Sequence, residues 1–539
     1  MPPKTKNKPK QSSDKTSLVK QIVLLIMAVP QVLSALPLYW GALLCFLLGG
    51  LLVFCYAPFY HFALLFLLFP CFFFLIRHRQ WGAAFFYGWA FAFGQFLFGW
   101  YWLGSAILIE GDKFLWVLPL AIIGLPAGMA LIPAAAMAGF GLFSNSSPQG
   151  RVLSFVFFWS LGEFLRGNLF GGFPWNLLGQ TAFAYLPLAQ SAALWGIYGL
   201  SVMIAFIIMG PIWAGLASSF LRKSLCGAAY LVFCIALIGG GFYRLLEHPK
   251  GEASYIGLRL IQPAISQRDK WNPNLRAHHI EKIMSLSQKE FSLKTTQNYI
   301  IWPEVALPLF IQDTPHLSRR IADSLPQNTS LLMGALRYRS SGGGRELLNS
   351  LILLEPSGQV KTIYDKNHLV PFGEVLPLQA LWARIGLKPL AAALSPFTKG
   401  VTPPLYKPLN APPFSVLICY EAIFPNEIRR HERSDWIINV TNDAWFGKTI
   451  GPYQHFSHAR MRTIEQGLPM IRVANTGISA IIDPLGRVLH ETPLQKKQAI
   501  EAKLPQKIDA PPYLRFGNLC FFSLLALIGI LAPVRKKHA

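Results

Sequence analysis

Phe414-Ser415-Val416-Leu417-Ile418-Cys419-Tyr420-Glu421 is a run of mostly β-forming residues that ends in a thiol, an aromatic ring and a carboxylate. Phe, Val and Ile favour the pleated, half-buried environment of a sheet, so Phe414 to Ile418 is predicted to be a strand. Cys419 follows this strand directly. The thiol is therefore expected at the carboxyl end of a strand, which is the end where open α/β sheets bind ligands.

Comparable β-rich runs recur between residues 250 and 510 and alternate with helical patterns. They are Tyr255 to Ile261, Tyr299 to Trp302, Ser330 to Leu336, Ser350 to Leu354 and Trp436 to Val440. This alternation predicts an α/β sandwich, and about 260 residues suffice for one domain with a sizeable core. The Pro-rich stretch 403–413 is interpreted as a loop. The apolar stretch 376–397 fits either a packed helix or a mobile lid at a membrane surface.

The first 246 residues have the composition of a membrane protein. Hydrophobic residues make up 53% of the chain and charged residues 14%, which is too apolar for an ordinary soluble domain. Apolar runs of about 18 to 25 residues match the roughly 30 Å hydrocarbon core of a bilayer. They lie near 39–56, 59–76, 82–105, 114–142, 152–166, 188–219 and 226–245, with an eighth near 517–534. The sequence predicts a polytopic α-helical membrane bundle of about seven spans over 39–246, and a C-terminal span with a basic tail over 515–539.

The distribution of charge predicts how this bundle is oriented. The formal net charge is +23, which by itself would suit anionic lipid or nucleic acid. All but five of the 26 acidic residues lie within 250–510. Lys and Arg in short loops stay on the cytoplasmic side, and with seven spans the basic clusters of this chain share one side. They are the lysines at 4–10 and the basic residues at 77–79, 222–223 and 535–537. Region 250–510 is then expected to face the periplasm from a Gram-negative inner membrane.

One apolar segment complicates the count of spans. Residues 17–38 are apolar but interrupted by Lys20, Pro30 and Pro37, and a separate crossing there would reverse the orientation. We interpret 1–38 as a basic N-terminal tail followed by an interfacial or re-entrant segment.

Cysteine placement singles out Cys419. The other six of the 7 cysteines lie in or beside apolar runs, where Cys behaves as a small hydrophobic residue. A lone thiol in an outward-facing domain cannot form an internal disulfide, and an oxidising compartment makes it a liability. A chemical role is therefore favoured, with core packing after a strand as the alternative.

Two more chemically capable side chains follow predicted strands. Glu304 comes after Tyr299 to Trp302 and Pro303, and Lys366 comes after a hairpin turning at Pro356-Ser357-Gly358. Residues at the carboxyl edges of adjacent strands converge on one rim, so these groups are expected to share a pocket with the thiol. A carboxylate to take the thiol proton, a thiolate to attack a carbonyl and an ammonium to stabilise the oxyanion together predict acyl transfer. The lysine cation is also expected to help ionise the thiol, and a backbone N–H near Tyr420 could be a second oxyanion donor.

The motifs around these residues resemble the nitrilase superfamily, and the whole architecture resembles the apolipoprotein N-acyltransferase family. The matching segments in the polar region are Trp302-Pro303-Glu304, residues 366–374, Cys419-Tyr420-Glu421, residues 442–447, Gln454-His455, residues 459–462 and Ala474-Asn475-Thr476-Gly477. In the apolar half the match is Gly172-Phe173-Pro174-Trp175. Phe173 and Trp175 are expected at the interfacial aromatic belt, beside a helix-lined cleft at the base of the polar domain. Leu468 departs from the pattern, since a basic residue is expected there.

The resemblance implies a two-step reaction and a role for each matching residue. Cys419 would take an acyl chain from a membrane phospholipid as a thioester and pass it to the α-amine of the N-terminal diacylglyceryl-cysteine of an apolipoprotein. Glu304 is implied as the base and Lys366 as the oxyanion stabiliser. The supporting active-site residues implied are Glu374, Tyr420 and Glu421, and Trp271 is implied in substrate binding. No metal, nucleotide or organic cofactor and no nucleic-acid partner is expected.

The physical reading leaves structural alternatives open for the supporting residues. Glu374 could cap the next segment, Glu421 could form a structural ion pair, and Trp271 could simply pack. The pairs His278-His279 and His455/His458 lack a third ligand at a recognisable spacing and are interpreted as structural.

Two rival functions also remain. A membrane-tethered amidase would release the acyl group to water instead of to an amine. A transporter or lipid-binding scaffold is less consistent with the scarcity of charge in the helices.

Overall fold

The computed structural model describes residues 30–532, except 144–145, 250, 252–254, 342–343, 377–383, 385–396, 402–404, 408–411 and 429–432. The lysines of the N-terminal tail, most of segment 17–38, most of stretch 376–397, parts of loop 403–413 and the basic residues at 535–537 lie outside these residues. Expectations about those segments stay predictions.

Apolar helices fill the first half of the chain and one C-terminal segment, where the hydropathy pattern predicts them. Numbered along the chain, they are α1 Leu38–Leu51, α2 Leu65–Ile76, α3 Trp81–Gly99, α4 Leu103–Glu110, α5 Leu125–Met129, α6 Leu131–Leu142, α7 Pro148–Asn168, α8 Leu186–Ala189, α9 Ala192–Gly215 and α10 Phe220–Glu247. Later helices are α11 Arg276–Ser287, α12 Pro315–Asp323, α13 Gly451–Gln466, α14 Pro512–Phe516 and α15 Leu519–Leu531.

Among the described residues, four helical stretches are long and apolar enough to cross a bilayer. They are Leu38–Cys55, Phe114–Leu142, Ala192–Gly215 and Phe220–Glu247, and a fifth forms if α3 and the following Leu103–Ile109, bent by 44°, count as one span. Shorter apolar helices occupy Phe62–Ile76 and Leu519–Leu531. The predicted number of seven spans plus one therefore stays a prediction.

Burial separates central from peripheral helices of the bundle. In α9, 83% of the most apolar window is buried against other helices, whereas in α10 only 6% is. An exposed helix covered with Leu, Ile and Phe is unfavourable in water and favourable in hydrocarbon, so α10 presents its surface to lipid.

The polar region contains two mixed six-stranded sheets. The strands are β1 Ile256–Gln262, β2 Gln297–Ile301, β3 Thr329–Ser341, β4 Gly344–Leu354, β5 Val360–Asp365, β6 Leu405–Tyr406, β7 Phe414–Ile418, β8 Trp436–Thr441, β9 Met470–Ala474, β10 Ala480–Ile482, β11 Val488–Glu491 and β12 Gln498–Lys503. The first sheet has the order β12-β1-β2-β3-β4-β5, with β1, β2 and β3 parallel. The second has the order β11-β10-β9-β8-β7-β6, with β7, β8 and β9 parallel.

The sheets face one another across a common apolar core. Leu258 and Ile301 of the first sheet share one buried cluster with Val416 and Ile438 of the second. Helices α11 and α12 cover the outer face of the first sheet, and α13 covers the outer face of the second. This is the predicted α/β sandwich, in four layers ordered helix, sheet, sheet, helix.

The β-rich runs named from sequence all form strands, and most of their predicted ends lie within two residues of the observed ends. The exceptions are β3, which extends five residues further at its C-terminal end, and β4, which begins six residues earlier. The hairpin between β4 and β5 turns at the expected place, with Gly358 at φ 78°. A positive φ is costly for residues with a Cβ, so glycine suits that turn. Strands β6 and β9 to β12 were not among the named runs. The short strand β6 pairs with β7 inside stretch 403–413, so the interpretation of that stretch as a loop is wrong at Leu405–Tyr406.

Candidate active site

Glu304 lies three residues past the end of β2, and the backbone around it is packed tightly. A Cβ on Gly334 of β3 would lie 2.3 Å from the carbonyl oxygen of Pro303 and 2.6 Å from the Cα of Glu304, so only glycine fits there. The Glu304 side chain is 6% exposed. Its Oε1 accepts a hydrogen bond from Asn349 Nδ2 at 2.7 Å, and its Oε2 accepts one from the backbone N–H of Asn442 at 2.8 Å. These bonds fix the carboxylate in one orientation.

Lys366 follows β5 directly and is 1% exposed. Its Nζ lies 2.8 Å from Glu374 Oε1 and 3.7 Å from Glu304 Oε1. Burial alone would lower the pKa of Lys366, but the negative charges of Glu374 and Glu304 outweigh burial and raise it above its ordinary value. The side chain is therefore a permanent ammonium, held between two carboxylates.

Cys419 begins a 3₁₀ turn, Cys419–Ile423, directly after β7, and it has φ 51°. Such left-handed backbone is uncommon for a residue with a Cβ and often marks a functional site. Burial and the Glu304 carboxylate raise the pKa of the Cys419 thiol above its ordinary value, while the Lys366 ammonium lowers it. Lys366 does favour the thiolate as expected, but it does not outweigh burial. The resting group is a thiol that needs a base.

The three side chains meet for a different reason than adjacent strand ends. The expectation of adjacent strands is wrong, because β3 and β4 separate β2 from β5, and β7 belongs to the other sheet. Face-to-face packing of the two sheets brings the base and the lysine, on one sheet, to the thiol on the other. Strand order cannot be read from the order of motifs along the chain.

Glu421 connects the cysteine loop, which is the turn Cys419–Ile423, to the lysine loop, which begins at Lys366 after β5. Its Oε1 accepts hydrogen bonds from the backbone N–H groups of Asn367 at 2.7 Å and His368 at 3.0 Å, and its Oε2 accepts one from Ile418 N–H at 2.7 Å. The residue is fully buried, and burial raises its pKa to about 7, although the N–H donors oppose this. Glu421 therefore helps to set the distance between Lys366 and Cys419.

Tyr420 connects the cysteine loop to the membrane half, which is the part of the chain that contains helices α1 to α10. Its hydroxyl donates a hydrogen bond to the carbonyl oxygen of Gly172 at 3.1 Å, and its ring stacks 6.4 Å from Phe173. Trp175, three residues after Gly172, is 1% exposed and donates its Nε1–H to Gln454 of α13 at 2.8 Å. An interfacial aromatic belt was the expected place for Trp175, but it lies buried between the two halves.

Glu374 and Trp271 take different positions relative to this cluster. Glu374 pairs with Lys366, and its Oε2 also accepts a hydrogen bond from the backbone N–H of Val370 at 2.8 Å. Trp271 lies on the loop after β1 and is 45% exposed. Its neighbour Lys270 is instead 1% exposed; burial lowers the pKa of Lys270 to about 8, and the negative charge of Glu304 opposes this. Glu374 therefore contacts Lys366 directly, whereas Trp271 is half-exposed and is connected to Glu304 through its neighbour Lys270.

Several residues at the site were not singled out from the sequence. Asn349 donates to both Glu304 and Glu374, at 2.7 and 3.4 Å, and Asp443 lies in a buried ion pair with Arg472 at 2.8 Å. Asn349 stands in the middle of β4, next to leucines. A polar residue at such a position in a strand could have been recognised from the sequence as a candidate site residue. The contacts of Asp443 depend on strand order, which the sequence did not provide.

Cys419, Asp443 and His455 lie close enough to suggest a metal site at first sight. The sulfur, a carboxylate oxygen and a ring nitrogen lie within 4.8 Å of one another. Asp443, however, is already paired with Arg472 and with His455 Nδ1, and His455 Nε2 lies 3.1 Å from the Cys419 carbonyl oxygen. A hydrogen-bonded array uses these ligand atoms, which favours the structural interpretation of His455 over metal binding.

Comparison with known proteins identifies both halves of the chain. Residues 258–512 match the carbon-nitrogen hydrolase family, and residues 48–210 match the apolipoprotein N-acyltransferase N-terminal domain. An apolipoprotein N-acyltransferase of Rhodopseudomonas palustris is 38% identical over 526 residues, which cover 94% of this chain and 98% of that protein. One of Brucella melitensis is 37% identical over 462 residues, covering 84% and 86%.

Among solved structures, a CN-hydrolase superfamily protein from Xanthomonas campestris is 17% identical with a TM-score of 0.34, and the match covers 50% of this chain and 96% of that one. The assignment rests on the sequence relatives, which share both halves in the same order and nearly the full length. The chain is a member of the apolipoprotein N-acyltransferase family.

Proposed function

We propose that this protein transfers an acyl chain from a membrane phospholipid to the α-amine of the N-terminal diacylglyceryl-cysteine of apolipoproteins. The transfer passes through a thioester on Cys419, with Glu304 as base and Lys366 as oxyanion stabiliser. The observation that carries this proposal is the convergence of these three side chains at the contact with the membrane half, in a chain related to apolipoprotein N-acyltransferases over 94% of its length.

In the first step Cys419 becomes acylated. Glu304 takes the thiol proton, and the sulfur attacks the ester carbonyl carbon of the phospholipid. The carbonyl oxygen becomes an oxyanion, stabilised by the Lys366 ammonium. Collapse breaks the ester C–O bond, and the lysophospholipid oxygen leaves with the proton held by Glu304. The thiol has a raised pKa, so this base is required for the attack.

In the second step the acceptor amine replaces the lysophospholipid. The neutral α-amine attacks the thioester carbonyl, and the same ammonium stabilises the second oxyanion. Glu304 accepts a proton from the nitrogen as the C–S bond breaks, and that proton returns to the sulfur. The products are the N-acylated lipoprotein and free Cys419.

The two-part architecture suits two lipid-anchored substrates. We propose a membrane bundle over 39–246, a catalytic domain over 250–510 and a C-terminal helix over 515–539, with the catalytic domain facing the periplasm from the inner membrane. The cysteine loop contacts the membrane half through Tyr420 and Gly172. An acyl chain can therefore reach the thiol laterally from the outer leaflet, which a soluble amidase cannot offer. Trp271, exposed beside the site, is proposed to contact substrate.

Intact mass spectrometry after incubation with phospholipid alone tests the proposal. Wild type should gain one acyl mass that hydroxylamine removes and that a diacylglyceryl peptide discharges onto itself. Cys419→Ala and Glu304→Gln should gain none. Glu346→Gln is a matched control: it removes a carboxylate from β4 that pairs with Arg339 at 2.7 Å, away from the site, and it should acylate normally.

The rival functions give different outcomes in the same experiment. An adduct that decays equally fast with and without the peptide indicates an amidase. No adduct on wild type indicates a transporter or scaffold, and either result refutes the transferase.

A further inference from the structure

The peptide group between Cys419 and Tyr420 is contacted by a histidine that has no part in the reaction proposed above. His455, on α13, is fully buried, and its Nε2 lies 3.1 Å from the Cys419 carbonyl oxygen. A carbonyl oxygen only accepts hydrogen bonds, so Nε2 must carry the hydrogen that it donates. This assignment holds whatever the protonation state of the other ring nitrogen.

The other side of the imidazole is locked in place. Nδ1 lies 2.8 Å from Asp443 Oδ1 and 3.1 Å from Arg472 Nη2. Asp443 is in turn held by Arg472 and by the hydroxyl of Thr441, both at 2.8 Å. The ring therefore cannot rotate away from the Cys419 carbonyl without breaking a fully buried ion-pair array.

Aromatic rings hold the same imidazole from its faces and edges. Trp175 stacks on it with ring centres 5.8 Å apart, and Phe446 meets it edge-on at 5.6 Å. Trp175 comes from the membrane half. The direction of the Nε2–H bond is thus fixed by both halves of the protein.

A fixed carbonyl fixes the N–H of the same peptide group. The Cys419–Tyr420 peptide is trans and planar, so the Tyr420 N–H points opposite to the Cys419 C=O. Helix α13 covers the outer face of the second sheet, whereas Glu304 and Lys366 come from the first sheet on the other side. Pulling the carbonyl toward α13 therefore directs the Tyr420 N–H toward the lysine.

That N–H is available to a substrate. Tyr420 is the second residue of the 3₁₀ turn Cys419–Ile423, and the first N–H groups of a helical turn have no acceptor within it. A hydrogen bond to the carbonyl also polarises the amide and strengthens its N–H as a donor.

We propose that His455 is a positioning residue: by holding the Cys419 carbonyl it keeps the Tyr420 N–H directed at the oxyanion, beside Lys366. The inference rests on the proposed acyl transfer. The proposed role of His455 differs from that of a general base, because its Nε2 is directed at the carbonyl oxygen of Cys419 and not at its sulfur.

Two reactions of the same thiol distinguish these roles. Acylation by phospholipid forms an oxyanion, whereas alkylation by iodoacetamide displaces iodide from carbon and forms none. Loss of an aligned oxyanion donor slows acylation by about 10²-fold and leaves alkylation nearly unchanged. Loss of a base, or of the nucleophile's position, slows both.

The variants are His455→Met and His455→Gln in the full-length protein, assayed in mixed micelles of phosphatidylethanolamine and phosphatidylglycerol. Met and Gln have similar length, but only Gln has an N–H to donate to the carbonyl. We expect His455→Met to acylate about 10²-fold more slowly and His455→Gln to recover at least about tenfold of that loss. Alkylation should stay within about threefold of wild type in both. Thr463→Val removes a buried hydroxyl of α13, one that donates to the Arg460 carbonyl oxygen at 2.8 Å within the helix, and should change neither rate.

Every other result overturns the inference. Parallel slowing of acylation and alkylation assigns His455 to the base or to the thiol, and failure of both variants to fold assigns it a purely structural role. Normal acylation by His455→Met refutes it directly. Absence of the acyl adduct on wild type is distinguishable, since it refutes the proposed function itself.

Discussion

Removing the charge of Lys366 should destabilise the protein, and removing a second charge should restore it. Lys366 is 1% exposed, with Glu374 at 2.8 Å and Glu304 at 3.7 Å. Lys366→Met leaves the buried Glu304 carboxylate and the part-buried Glu374 carboxylate without the ammonium that lies between them. Breaking a buried ion pair by removing one partner costs about 3–5 kcal/mol, so the single variant should lose about that much stability. Lys366→Met/Glu374→Gln removes the unpaired carboxylate and should recover most of the loss.

Activity should not follow stability in this pair of variants. Both lack the ammonium, so acylation should fall about 10²–10³-fold in each. The assay is the apparent melting temperature in detergent, at about 2–4 °C per kcal/mol, alongside acyl-adduct formation by mass spectrometry. A double variant that is no more stable than the single one would refute the charge-pairing argument. A double variant that regains acylation would refute the role of Lys366 at the oxyanion.

Three further outcomes follow from the geometry of the site. Tyr420→Phe removes a buried hydrogen bond to the membrane half and should slow acylation about tenfold. The control Tyr406→Phe loses a hydrogen bond of similar length within the catalytic domain and should cost about 1–3 kcal/mol of stability without slowing acylation. Melting temperature and the kinetics of adduct formation distinguish the two variants. Gly334→Ala places a Cβ against the backbone of Glu304 and should slow acylation about 10²-fold. In the control Gly344→Ala the added Cβ has no atom within 4 Å, and acylation should keep its wild-type rate. Equal rates in the two variants would contradict the close-packing argument. In Glu304→Gln, which lacks the proposed base, only the free thiolate reacts; because burial raises the pKa of Cys419, the alkylation rate of this variant should rise about tenfold per pH unit from pH 7 to 9, and a plateau in that range would show that the thiolate forms more easily than argued.

The sequence predicted the parts of this molecule that depend on local pattern. Phe414 to Ile418 forms a strand with the predicted ends, since five buried residues in a row admit few other structures. The apolar helices lie where the hydropathy places them, because length and composition alone decide whether a segment suits a bilayer. Glu304, Lys366 and Cys419 were found because each directly follows a strand or a strand and a proline.

The rest depended on tertiary proximity that no local pattern encodes. Asn349 was missed as a partner of Glu304, since one amide in β4 becomes meaningful only when β2 and the 366–374 loop are placed beside it. Trp175 was expected at the lipid interface because tryptophan is common there, but its indole N–H finds a better acceptor in Gln454. The contact between the halves decided that position, and neither half contains the information alone.

The position of the nucleophile explains why the catalytic domain and the bundle form one chain. Cys419 starts a turn whose next residue, Tyr420, is hydrogen-bonded to Gly172 of the membrane half. On the other side of that turn, His455 is packed by Trp175, again from the membrane half. A shift of the bundle relative to the sandwich would therefore move the two supports of the Cys419–Tyr420 peptide together. A cysteine at the end of a strand would be held in place by the sandwich alone, but these two contacts make its geometry depend also on the membrane half, through which the acyl chain is proposed to enter.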